Sequence, residues 1–115
     1  MQSFEFNKVA RIIVGMGSVL DLASQCGQLR VTRPLLVTDP GLMAIGLVQP
    51  ILAAMDKAGC ATLVFDQVRE DPPEATVLAA VALARSGSVD GVIAVGGGSS
   101  MDVAKVVAVL LSGKQ

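Results

Sequence analysis

The chain of 115 residues contains no histidine, no tyrosine and no tryptophan. Without histidine it cannot build a zinc or iron site from imidazoles, nor a Ser/His or Cys/His nucleophile. Without tyrosine and tryptophan, and with only three phenylalanines, it lacks the stacking platforms that hold single-stranded nucleic acid. Charge is sparse and balanced: nine Lys and Arg against ten Asp and Glu leave a net charge of −1 with no basic run. Nucleic acid is therefore not expected as a partner, and a small ligand is. Cys26 and Cys60 lack CxxC spacing and read as small buried hydrophobes. No positively charged secretory leader opens the chain, and a reducing cytoplasm fits. Every apolar run falls short of the ~20 residues that a bilayer span requires, so no membrane segment is expected.

What is present is aliphatic: 52% of the residues are hydrophobic, enough for one domain over residues 1–115 and too little chain for two. "SFEF" (3–6) and "RIIVG" (11–15) predict two short strands in a hairpin. "SVLDLASQCGQL" follows as a helix capped by Ser18 and stopped at Gly27. "PLLVTD" (34–39), "ATLVFD" (61–66) and "GVIAV" (91–95) are short apolar runs of the kind that become buried parallel strands. Between them lie a helical turn at 41–46, a helix at 48–59 and a helix at 74–87, with a last helix at 99–113. Strands alternating with helices predict βαβ units. The expected fold is therefore α/β, a Rossmann-like doubly wound parallel sheet preceded by an N-terminal β-hairpin.

In such sheets, ligands bind beyond the carboxyl ends of the strands. Asp39, the loop at 66–73 and the run Gly96 to Ser100 all fall at that edge. Gly96, Gly97 and Gly98 lie between a strand and a helix whose first amides have no intrahelical partner, which makes an anion site. Ser99 and Ser100 add hydroxyl donors there. The same residues also read as a plain tight turn, with Ser99 capping the helix and Asp102 completing a capping box. Asp102 and Lys105 are the only charges on this helix, three residues apart. They suit a surface ion pair, and Asp102 also suits a polar contact beside the anion. Asp39, just past a strand, can accept hydrogen bonds from an adenosine ribose and would repel a 2′-phosphate, favouring NAD over NADP. Asp39-Pro40-Gly41 equally suits a simple turn. The earlier glycine pair in "VGMGSVL" (14–20) is set aside as a dinucleotide site, because it follows a hairpin strand and lacks an acid about twenty residues on.

"VGGGSSMDVAK" (95–105) resembles the iron-containing alcohol dehydrogenase family, whose glycine motif has the form GGGSxxDxAK. "RIIVGMGS", "LLVTDPGL" and "VFDQVREDPPEATV" follow the family in order and spacing. The resemblance implies an NAD(P)-binding domain that full-length members join to a helical C-terminal domain. That second domain holds a divalent metal, iron or zinc, on an aspartate and three histidines, and it is not represented in these residues. Carried over by position, Asp39 stands at the adenosine ribose, and Gly97, Gly98, Ser99 and Asp102 line the pyrophosphate and nicotinamide side. Where members often read Asn-Pro-Thr, this chain has Asp71-Pro72-Pro73, which loses an amide and a hydroxyl.

The implied activity is hydride exchange between a small alcohol or aldehyde and a nicotinamide coenzyme. No catalytic or metal-binding residue is assigned within this chain, which is expected to be inert alone. Maleylacetate reductase, glycerol dehydrogenase and a non-catalytic nucleotide-binding module are the alternatives. The last helix carries apolar residues on every face; the sheet can cover only one of them, so the rest is expected to meet a further domain or a partner chain in a homo-oligomer.

Overall fold

The computed structural model describes residues 12–14, 19–69 and 74–111. Four strands, β1 (Ile12–Val14), β2 (Pro34–Val37), β3 (Leu63–Phe65) and β4 (Gly91–Ala94), form one sheet in the order β1-β4-β2-β3. All pairings are parallel. Five helices connect and follow them: α1 (Val19–Leu29), α2 (Pro40–Ala44), α3 (Gln49–Lys57), α4 (Glu74–Ser86) and α5 (Gly98–Leu111).

Side chains alternate across the central strands, as the two-residue period of a strand requires. Leu35 and Val37 of β2, with Val92 and Ala94 of β4, enter a core shared with α4 and α5. Leu36 and Ile93 enter a second core containing Leu22 and Cys26 of α1 and Ile51 and Met55 of α3. With both faces covered, β2 and β4 are buried throughout, which explains why they read as unbroken apolar runs. Asp90 aligns the amino ends of these two strands: its carboxylate accepts from Thr32 N at 3.0 Å, Thr32 Oγ1 at 3.1 Å and Arg33 N at 2.8 Å.

Several details differ from expectation. Residues 3–6, one arm of the expected hairpin, lie outside the described residues. The other arm, β1, is a parallel neighbour of β4, with Ile13 opposite Ile93. It therefore begins a β-α unit with α1, and "VGMGS" follows a strand of the parallel sheet. Residues 15–18 themselves lie outside the described residues. α1 does not stop at Gly27 but runs to Leu29, and Arg30 takes the left-handed conformation with φ 62°. Two hydrogen bonds close that end, Arg30 N to Gly27 O and Val31 N to Cys26 O at 3.1 and 2.8 Å, so the cap geometry is met without glycine. Gly59, with φ 86°, does end α3 as a glycine should.

Among the described residues the last helix is buried on one side only, as expected of a helix of which the sheet covers a single face. Its inner face carries Ser100, Val103, Ala104, Val107 and Ala108, while Asp102, Lys105, Val106 and Val109 are exposed. One side of α5 packs on the sheet and α4, and the opposite side faces outward, apolar though half of it is. The helix does not begin at Ser99. It begins at Gly98, and the Met101 amide reaches Gly97 O at 3.2 Å. Gly97 therefore holds the cap position, and the capping box expected of Ser99 and Asp102 is not formed.

Candidate functional site

β2 and β4 are neighbours, but the chain leaves them in opposite directions. From β2 it turns through α2 into α3, on the face shared with α1; from β4 it turns into α5, on the face shared with α4. Adjacent parallel strands whose helices part in this way leave a crevice above their carboxyl ends, the usual ligand position of a doubly wound sheet. A cleft of about 300 Å³ lies there, lined by Asp39, Val68, Arg69, Gly97, Gly98, Ser99 and Ser100.

The three glycines are bare for different reasons. Gly96 has φ 140°, a conformation that residues with a Cβ avoid, and a Cβ there would lie 3.0 Å from Ser100 Oγ and 3.3 Å from Asp39 Oδ2. Its reason is internal: it is buried beneath the cleft and lets α5 approach β2's end. Gly97 and Gly98 have negative φ and nothing within 4 Å of an added Cβ. The fold does not require them to be glycine. Their missing side chains expose the main chain to the cleft, where the Gly98, Ser99 and Ser100 amides precede the first intrahelical bond of α5. The helix dipole adds about half a positive charge at this end, worth ~0.3–1 kcal/mol to an anion and up to ~2 when partly buried.

Asp39 is half-buried at the N-cap of α2. Its Oδ1 accepts from Leu42 N at 2.8 Å, and its backbone is extended, as a capping residue's should be. Oδ2, which takes no part in that bond, faces Gly96. The carboxylate therefore performs the structural task suggested by Asp-Pro-Gly and still presents an acceptor at the cleft. Beneath it, Thr38 is wholly buried, and among the described residues its hydroxyl has no hydrogen-bond partner.

Of the residues singled out in the sequence, the fold thus brings Asp39, Gly97, Gly98, Ser99 and Ser100 to one cleft, with Gly96 under its floor. Asp102 does not join them; it is exposed one turn along α5 and outside the lining. Val68 and Arg69 lie in the 66–73 loop expected at this edge, though neither was singled out within it. Val68 is buried, and its amide donates to Thr38 O at 3.3 Å while the Thr38 amide donates to Phe65 O at 2.9 Å. This stitching seats the segment after β3 beside β2. The only local signal was that the 66–73 loop follows a strand. Residues 70–73, and with them Asp71-Pro72-Pro73, lie outside the described residues.

A wider cleft of about 430 Å³ lies at the amino edge, lined by Arg33, Asp56, Cys60 and Thr62 among others. The glycine in its described lining is Gly87, where a Cβ would meet the Leu63 side chain, and no described helix begins there. Volume favours this cleft, but chemistry favours the smaller one. Both cysteines are reduced thiols. Burial, with Cys60 and Asp90 nearby, pushes the Cys26 thiol up from an ordinary 9.0 to about 11, and burial also raises Cys60. Neither is therefore an activated nucleophile.

Metal ligation is a different matter. Among the described residues no three His, Cys, Asp or Glu side chains group to hold an ion, and the whole chain has no histidine. These residues do not fit a metal centre. No described helix is long and apolar enough to cross a membrane.

A profile of iron-containing alcohol dehydrogenases matches residues 10–115. The 4-hydroxybutyrate dehydrogenase of Cupriavidus necator is 43% identical over 102 residues, which is 89% of this chain and 26% of that protein. Among solved structures, sulfoacetaldehyde reductase from Bifidobacterium kashiwanohense in complex with NAD+ superposes with a TM-score of 0.77 at 25% identity, covering 94% of this chain and 28% of that one. The NADH-dependent butanol dehydrogenase A of Thermotoga maritima gives 0.74 at 27% identity, covering 94% and 27%. The chain spans about a quarter of the length of the relatives it matches.

Proposed function

The chain belongs to the iron-containing alcohol dehydrogenase family, and on that premise we propose that it is the coenzyme-binding part of an NAD-dependent alcohol or aldehyde oxidoreductase. The observation that carries this reading is the pair Gly97 and Gly98. They are open to the cleft, unforced by packing or backbone strain, and set at a helix N-terminus opposite a carboxylate. A pyrophosphate fits bare amides, and a ribose diol fits the Asp39 Oδ2 acceptor. The relatives named as NAD+-bound or NADH-dependent point the same way.

Gly97 and Gly98 give the pyrophosphate van der Waals access to the main chain. The amides of Gly98, Ser99 and Ser100, with the Ser99 hydroxyl, donate to its oxygens. Asp39 accepts from the adenosine ribose and disfavours a 2′-phosphate by up to ~4 kcal/mol for unit charges 4 Å apart at an effective dielectric of 20. Asp102, exposed beside this end of α5, is left to water-mediated contact. Bound NAD supplies a hydride acceptor, and the chain's own residues hold and orient it. They make no metal site, so the polarising metal of the family reaction must be held outside the described residues.

The same reading takes residues 1–115 as one domain of a longer two-domain enzyme, a cytoplasmic homo-oligomer acting on a small alcohol or aldehyde. The test is calorimetric titration of the chain with NAD+, beside Asp39→Ala and Gly98→Val. Unchanged NAD+ affinity in both variants would refute the site.

A further inference from the structure

Among the described residues, Arg69 is the one cation lining the cleft. Its backbone is not loosely placed: the preceding residue, Val68, is buried and bonded through its amide to Thr38 O, one residue before Asp39. Its side chain is exposed, and among the described residues no carboxylate forms an ion pair with it. The sheet order places β2 between β4 and β3. Across the cleft the groups therefore run from the glycine rim after β4, through Asp39 after β2, to Arg69 after β3. If the pyrophosphate occupies the rim and the ribose meets Asp39, Arg69 stands on the adenosine side, away from the pyrophosphate.

We propose that Arg69 is a coenzyme-specificity residue that receives the 2′-phosphate of NADP, so that the cleft binds NADP as well as NAD despite Asp39. This rests on the reading of the cleft as a dinucleotide site. The charge logic is direct. A 2′-phosphate brings negative charge next to the Asp39 carboxylate, and a guanidinium lining the same cleft offsets the repulsion. A guanidinium is also always charged, and its planar fork matches phosphate oxygens. With NAD the 2′ position carries only a hydroxyl, which Asp39 accepts from, and Arg69 has no anion to hold. Asp39 therefore sets the preference, and Arg69 limits how strong that preference is.

The test titrates the full chain, its Arg69→Gln variant and its Asp39→Asn variant with NAD+ and with NADP+. Arg69→Gln should leave the melting temperature and the NAD+ Kd nearly unchanged and weaken NADP+ roughly three- to ten-fold, the scale of a charge-assisted contact at a solvent-exposed rim. Asp39→Asn should strengthen NADP+ relative to NAD+, and adding Arg69→Gln should remove that gain. Added salt should weaken NADP+ more than NAD+, with the difference shrinking in Arg69→Gln. Equal loss for both coenzymes, or no loss for either, would overturn the proposal. So would an unmutated chain that binds NAD+ and shows no NADP+ binding, which leaves the dinucleotide reading standing. An unmutated chain that binds neither coenzyme removes both.

Discussion

The glycine run separates fold from function, and replacing its members one at a time should show the separation. At Gly96 an alanine must adopt φ near 140° and bring its Cβ to 3.0 Å from Ser100 Oγ. Strain of this kind costs about 1–3 kcal/mol. For a domain of this size each 1 kcal/mol moves Tm by about 4–8 °C, so Gly96→Ala should lower Tm by roughly 4 °C at least and by as much as ~20 °C. Gly98 opens α5 with nothing within 4 Å of an added Cβ. Alanine there should leave Tm unchanged or raise it slightly, because alanine forms helix better than glycine by up to ~1 kcal/mol. Valine at Gly98 costs little in the fold but fills the space that a pyrophosphate must enter. Losing the helix-end anion contact, up to ~2 kcal/mol, should weaken NAD+ about thirty-fold. Differential scanning fluorimetry and calorimetric NAD+ titration on the three variants read the two effects independently. If Gly98→Val destabilises the chain as much as Gly96→Ala, or binds NAD+ as tightly as the unmutated chain, then the open glycines are not open for a ligand.

Other consequences follow from single residues. Asp39→Ala removes the α2 cap and should cost about 1 kcal/mol in stability, whereas Asp39→Asn keeps the cap and should cost little, a contrast that urea denaturation can read. Asp90→Ala removes the acceptor of three hydrogen bonds at the amino ends of β2 and β4 and should destabilise by about 2–4 kcal/mol, with no direct effect on the distant cleft. Because folding raises the Cys26 thiol from 9.0 to about 11, the folded chain holds a proton that the unfolded chain releases. Stability should be unaffected below pH ~9 and fall between pH ~9 and ~11, by at most about 3 kcal/mol in all. Urea midpoints across that range should lose most of this dependence in Cys26→Ala, and a dependence unchanged in the variant would place its origin elsewhere. The chain alone should show no NAD-dependent alcohol oxidation in a spectrophotometric NADH assay, with or without added divalent metal; robust turnover would contradict the assignment of metal ligation to other residues.

The helices and the parallel strands were legible because their signals are local. An apolar residue every three or four positions marks a helix face, an unbroken short apolar run marks a strand covered on both sides, and three consecutive glycines before a helix mark bare amides. Boundaries were less legible, since Arg30 and Gly97 end and begin helices through backbone geometry that no residue type announces. The apolar residues on every face of α5 were legible too, and the structure shows which of them the sheet and α4 bury and which, Val106 and Val109, face outward.

By itself the sequence determined the element order, the aliphatic core, the lack of any imidazole for a metal site, and the placing of a glycine turn before the last helix. Only the tertiary structure decided which of these pieces meet. Asp39 and Gly97 are far apart along the chain, and they share a cleft because β4 inserts between β1 and β2 while the helices after β2 and β4 leave to opposite faces. The same packing excluded Asp102, placed Gly96 in the floor and the other two glycines at the surface, and brought in Arg69 through the bond from Val68 to Thr38. Periodicity records what each segment prefers against its immediate neighbours. Strand adjacency is settled by how all the segments bury their apolar faces at once, and no local pattern carries that information.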